Sequence, residues 1–161
     1  MIFYLKYFVI AYLLVVIQSN VFFKGVLKLF IVPDFVLVYI FWLTMENKEN
    51  IAKYVGLFTG IFLDLLNPEK TFINTFSYFF STLYIINIKN KFIGLNFTLK
   101  LLAIVLFSLI VSIPKTVYSF FLSNVSLNQS LNLIGFYVLY NAVIIYFIYY
   151  FTVFVLKRDE I

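Results

Sequence analysis

The sequence predicts an all-α fold, a polytopic membrane bundle of about six transmembrane helices, and three observations carry that prediction. Of its 161 residues, 64% are hydrophobic and only 12% are charged, which leaves too little polar surface to cover a water-soluble globule. The apolar residues form continuous runs instead of alternating, which argues against a β-barrel, and only helices or closed barrels satisfy every backbone group in lipid. A bilayer core of about 30 Å takes roughly 20 apolar helical residues, so this length divides into about six spans joined by short loops. Residues 1–161 therefore read as one integral membrane domain.

The first run, 2–23, is broken only by Lys6 and lacks a small-x-small cleavage pattern before Lys24, so it reads as an uncleaved span. The second, 32–45, opens on Pro33 and Asp34; a proline suits a first helical turn, and a carboxylate favours the positive helix N-terminus. The third, 51–66, is also short, so both of these spans tilt little or extend into their flanks. The fourth and fifth cover 71–88 and 97–122, and Pro114 is expected to bend the fifth. The sixth covers 131–156; its tyrosines, Tyr137, Tyr140, Tyr146, Tyr149 and Tyr150, cover too much of the helix to define a site and read as belt and packing residues.

With both termini inside, Lys6, Lys48, Lys53, Lys89, Lys91, Lys100, Lys157 and Arg158 fall on the inner side. Lys24, Lys28, Lys70 and Lys115 fall on the outer side, so the excess of basic residues predicts cytoplasmic termini. The net charge of +5 is scattered through short loops instead of gathered on one stripe, which speaks against a nucleic-acid partner. The 11 lysines against one arginine, with abundant Asn, Ile, Phe and Tyr, point to an AT-rich bacterial genome.

Ala52, Gly56, Gly60 and Asp64 recur every four residues along one helix face, the spacing that lets two backbones approach closely in lipid. That face is expected either to build the bundle or to receive a partner's helix, with Pro33 and Asp34 beside it. Asp34 and Asp64 both lie toward the outer side, where Lys24, Lys28, Lys70 and Lys115 are candidate partners for their charge. Lys115 stands 17 residues beyond Thr98, about 25 Å along the helix, within snorkelling reach of the outer interface. Each carboxylate reads either as a cap or interface ion pair, or as part of an outer polar socket with Lys70, Asn74, Ser112 and Lys115. Ser108, Ser112, Lys115 and Ser119 mark a polar face of the fifth span, and Asn74, Ser77 and Ser81 a similar stripe on the fourth, able to hydrogen-bond across helices.

The chain has no cysteine and no histidine, which removes thiol nucleophiles, disulfides and imidazole bases or ligands. It also lacks the Gly-x-Gly-Asp element of intramembrane aspartyl proteases, a Ser-His pair and the multi-Asp metal motif of lipid phosphotransferases. The sequence therefore reads as a non-enzyme without catalytic residues, metal or cofactor.

The order of features resembles the MreD family of bacterial rod-shape-determining membrane proteins. The likeness rests on Val32-Pro33-Asp34-Phe35-Val36-Leu37-Val38, on the segment from Gly56 through Gly60 to Asp64-Leu65-Leu66, and on Asn67-Pro68 followed by Phe72-Ile73-Asn74. These segments cover about a third of the chain, and the family commonly has a glycine shortly after the proline, a place taken here by Lys70 or Thr71. The resemblance implies a non-enzymatic subunit of the cell-elongation machinery in the bacterial inner membrane that binds an MreC-like bitopic protein and, through it, serves MreB-like filaments and peptidoglycan synthases. It also implies a fold similar to the substrate-binding subunits of energy-coupling-factor transporters. That fold leaves an alternative: a vitamin-type small-molecule binding subunit coupled to ATPases. Such subunits tend to carry Ala-x-x-x-Ala in the first span, where Ala11 is followed here by Val15.

Overall fold

The computed structural model describes residues 2–19, 33–66, 72–122 and 126–155. The described residues form six α-helices and no strand: α1 (Ile2–Ser19), α2 (Phe35–Met45), α3 (Glu49–Leu66), α4 (Ile73–Ile93), α5 (Phe97–Leu122) and α6 (Leu127–Val155). Over Phe97–Tyr118 and Asn128–Val153, α5 and α6 are long and apolar enough to cross a membrane; the apolar parts of α1 and α2 are shorter.

Local chemistry sets most of the helix ends. Pro33 lacks an N–H, and the Asp34 side chain accepts the Leu37 N–H at 3.0 Å, so α2 begins at Phe35 with Asp34 as its cap. Its other end closes by two backbone bonds, Lys48 N–H to the Leu43 carbonyl at 3.0 Å and Asn47 N–H to Thr44 at 3.2 Å. Asn47 takes the left-handed conformation that this closure requires, φ 59°, and asparagine is the usual substitute for glycine there. The chain turns so tightly that α3 starts at Glu49, two residues before the apolar run expected from 51. Asn96 caps α5 by accepting the Leu99 N–H at 3.0 Å. Ser126 and Gln129 exchange side-chain to backbone bonds across the first turn of α6, a capping box that starts the helix four residues ahead of the expected 131.

The helices assemble around α2. Eight of its eleven residues are buried, and it touches α1, α3, α4 and α6, so the shortest helix is the central post of the bundle. The most extensive helix pairs are α3 with α4 and α5 with α6. At the end of the bundle near the α2–α3 turn, Phe41 packs edge-on to Phe92 (5.7 Å between centroids) and against Phe107, while Tyr149 of α6 meets Phe92 at 5.3 Å.

The α3–α4 contact depends on glycine. A Cβ on Gly60 would stand 2.5 Å from the Thr75 Cα and 2.9 Å from its nitrogen, and one on Gly56 would collide with the Thr82 hydroxyl. The face marked by Ala52, Gly56 and Gly60 is thus occupied by α4 of the same chain. Overpacking of this kind costs about 1–3 kcal/mol, against a helix-propensity gain of up to about 1 kcal/mol for replacing glycine. Gly60→Ala is therefore expected to lower the melting temperature, whereas Gly135→Ala, whose Cβ meets open space, should leave it unchanged or raise it. Equal effects of the two changes would show that the close approach does not exist.

Candidate functional site

Asp34 is fully buried, and its carboxylate gathers partners from four helices. While Oδ1 caps α2, Oδ2 accepts the Tyr78 hydroxyl of α4 at 2.5 Å and the Tyr137 hydroxyl of α6. Lys115 of α5 brings its ammonium to 3.5 Å from the same oxygen, donates to the Tyr78 hydroxyl at 3.1 Å and lies 4.4 Å from the centre of the Tyr78 ring. The Asp34 backbone N–H donates to Asn141 Oδ1 at 2.8 Å, and Asn141 Nδ2 returns to the Tyr137 carbonyl at 2.9 Å. One carboxylate therefore ties α2, α4, α5 and α6 together. Gln18 of α1 approaches the Tyr78 hydroxyl, and its buried Oε1 has no hydrogen-bond partner among the described residues.

This geometry answers the cost of burying a charge. A carboxylate taken out of water is tolerated when a counter-charge and further donors replace its hydration. Here the helix N-terminus, two phenols and an ammonium do so, and the Lys115 side chain keeps 26% of its surface accessible.

Asp64 belongs to a second, separate cluster. Its Oδ1 accepts the Asn74 backbone N–H at 3.0 Å and the Asn74 side-chain amide at 2.9 Å; its Oδ2 accepts the Thr75 N–H at 2.9 Å and the Thr75 hydroxyl at 2.6 Å. The residue at the N-cap of α4, Phe72, is left-handed (φ 58°) and supplies no side-chain cap. Asp64 caps α4 from the neighbouring helix instead, meeting two of the N–H groups that every helix start leaves unpaired. A third cluster lies at the other end of the bundle, where the buried Lys89 donates to Asn47 at 2.5 Å and to Glu49 at 2.8 Å, fastening the α2–α3 turn to α4.

The structure divides the residues expected to form one outer socket. Lys115 joins Asp34 as its ion-pair partner, but Asn74 serves Asp64, and Ser112 donates to the Leu109 carbonyl of its own helix at 3.3 Å. Lys70, with Lys24 and Lys28, lies outside the described residues. Asp64 meets neutral donors among the described residues in place of a lysine. Asn74 bonds across helices as expected, whereas Ser77 and Ser81 bond back to carbonyls of α4. Ser108 is buried, and its hydroxyl has no hydrogen-bond partner among the described residues.

Tyr137, read from the sequence as belt and packing, is a ligand of Asp34, and Tyr78 and Asn141 escaped notice altogether. Asn141 is an amide in the middle of a long apolar run and stands four residues after Tyr137, a signal that could have found the pair. Tyr78 follows Asn74 by four residues on the same face. Among the described residues, no three His, Cys, Asp or Glu side chains gather as a metal site. No protein-family model, curated protein or solved structure matches this chain.

If the Asp34–Lys115 pair is coupled, Asp34→Asn leaves an uncompensated ammonium against buried rings, a loss of about 3–5 kcal/mol where a buried pair is broken, less here because Lys115 is partly exposed. Adding Lys115→Met to the Asp34→Asn variant is then expected to recover stability. A double-mutant cycle on thermal unfolding checks this, and simple additivity of the two losses would rule out the coupling.

Proposed function

We propose that this chain is a multi-pass protein of a bacterial inner membrane and serves as a non-enzymatic, MreD-type subunit of the cell-elongation machinery. The observation that carries the membrane reading is the inverted distribution of side chains. Among the described residues, 33 large hydrophobic side chains are exposed, including Leu5, Phe58, Phe80, Leu102 and Phe147, while Asp34, Asp64, Asn74 and Asn141 are buried. A water-soluble monomer rarely exposes apolar patches on this scale, whereas a bundle in lipid does so on every outward face. At 1.5 Å per residue, α1 and α3 reach about 27 Å and α4 about 31 Å, near the thickness of the hydrocarbon core. The second span is shorter than the five others, about 16 Å, and ends within the bundle at Asp34.

The charge distribution supports cytoplasmic termini. Lys6, Lys48, Lys53, Lys89, Lys91 and Lys100 cluster at one end with Glu46 and Glu49, whereas Asp34, Asp64 and Lys115 lie toward the other. An excess of lysine marks the cytoplasmic side.

The scaffold reading is supported by what the carboxylates do. Asp34 and Asp64, the acidic residues that the family likeness singles out, both hold helix starts in place and have their oxygens filled by donors of this chain. Groups so engaged position helices, as a protein that presents surfaces to partners requires. The partners on this reading are an MreC-like bitopic protein and, through it, MreB-like filaments and peptidoglycan synthases.

The test is purification of the tagged chain from its native membranes in mild detergent, with mass spectrometry of what accompanies it. Co-purification of an MreC-like single-span protein with cell-wall synthases is expected. Recovery of ATPases with a coupling membrane subunit would replace the scaffold by a transport role, and release of the chain from membranes by alkaline carbonate would remove the membrane reading itself.

A further inference from the structure

Between α5 and α6 runs an open groove of about 610 Å³ whose walls are almost wholly apolar, formed by Leu101, Val105 and Leu109 on one side and Gly135, Ala142 and Tyr146 on the other. At its upper part a Cβ on Gly135 would meet nothing within 4 Å, so the glycine leaves room that the bundle does not fill. Its lower part lies at the lysine-rich end, where Phe97 packs edge-on to Tyr146 at 5.4 Å and Lys100 donates to the Tyr149 hydroxyl at 3.1 Å.

Resting on the membrane reading above, we propose that this groove holds one acyl chain of an anionic phospholipid from the leaflet at the lysine-rich end. Length selects the occupant. From Leu101 to Leu109 and from Gly135 to Phe147 the groove extends roughly 12–18 Å along the helices, about half of the 30 Å hydrocarbon core. That is the reach of one leaflet, too short for a transmembrane helix of a partner or of a second copy. Tyr146 carries the one polar side chain of the lining and presents almost none of its hydroxyl to the groove, so a polar ligand would enter with most of its hydrogen bonds unmet. Charge selects the headgroup. Among the described residues six lysines stand at this end against two glutamates, which Lys48 and Lys89 neutralise as ion pairs, and Lys100 immediately precedes the groove residue Leu101. Clustered lysines at the ends of spans favour acidic lipid headgroups over zwitterionic ones.

The test reconstitutes the chain into mixed phosphatidylglycerol and phosphatidylcholine vesicles, re-extracts it in mild detergent and counts bound lipid by native mass spectrometry. The wild type is expected to retain phospholipid enriched in phosphatidylglycerol over the vesicle ratio. Gly135→Leu combined with Ala142→Leu, which fills the groove, should lose that lipid while melting as a folded protein; Lys100→Gln should keep it but fall back to the vesicle ratio. Lipid retained equally by the filled-groove variant, or none retained by the wild type, overturns the proposal. So does a covalent dimer of Leu139→Cys, a clean probe because the chain has no other cysteine, since a second copy would then occupy the face. Failure to enter vesicles at all would overturn the membrane reading together with this one, whereas entry without retained lipid overturns this one alone.

Discussion

A carboxylate placed where no water reaches must find every one of its partners within the protein, and Asp34 organises the bundle around that requirement. Its donors come from α2 itself, from Tyr78 on α4 and from Tyr137 on α6, with the Lys115 ammonium from α5 alongside. Each donor is useful only if its helix stands at one height and rotation. Because α2 has eleven residues, eight of them buried, and begins at the fully buried Asp34, that end of the helix stops inside the protein. Asp34 makes that stop tolerable by closing the exposed end of the helix and by linking it to three neighbours.

The same logic recurs at α4, which three different devices fasten to the preceding part of the chain. Asp64 closes its beginning, the flat faces of Gly56 and Gly60 admit its backbone along the middle, and Lys89 holds the α2–α3 turn near its end. On the membrane reading proposed above, hydrophobic burial cannot drive helices together as it does in water, so close approach and hydrogen bonding supply the specificity. That reading accounts for Asp34, Asp64, Asn74 and Asn141 standing inside beside the apolar core while Leu5, Phe80, Leu102 and Phe147 face outward. By contrast, α5 and α6 meet along a seam with one side left open, where Gly135 leaves a gap and the lining is almost wholly apolar.

The helices were largely legible in the sequence because continuous apolar runs admit few alternatives, and Pro33-Asp34 announced the start of α2. The Asp34–Lys115 pairing was also within reach, since a charge in such a run needs a counter-charge on the same side. The rest of the site was hidden by composition. With 13 tyrosines and 22 phenylalanines, two phenols that touch a carboxylate look like all the others. Asp64 was misleading for a different reason: it satisfies the start of the next helix, ten residues onward, so its partners are backbone groups and the side chains of Asn74 and Thr75, which no charge pattern reveals. The stripe of Ala52, Gly56 and Gly60 indicated close packing, but that its partner is α4 follows only from the tertiary fold.

Amide hydrogen exchange at Leu37, read in the wild type and in a Tyr78→Phe, Tyr137→Phe double variant, tests most directly whether Asp34 is the tie on which the bundle depends. Removing the two hydroxyls leaves the rings and the apolar packing in place; what is lost is the two hydrogen bonds to Asp34 and the bond that Lys115 makes to the Tyr78 hydroxyl. The account predicts faster exchange at Leu37, whose N–H the Asp34 side chain holds, with the amides of the α5–α6 seam much less affected. Unchanged protection at Leu37 in that variant would contradict it.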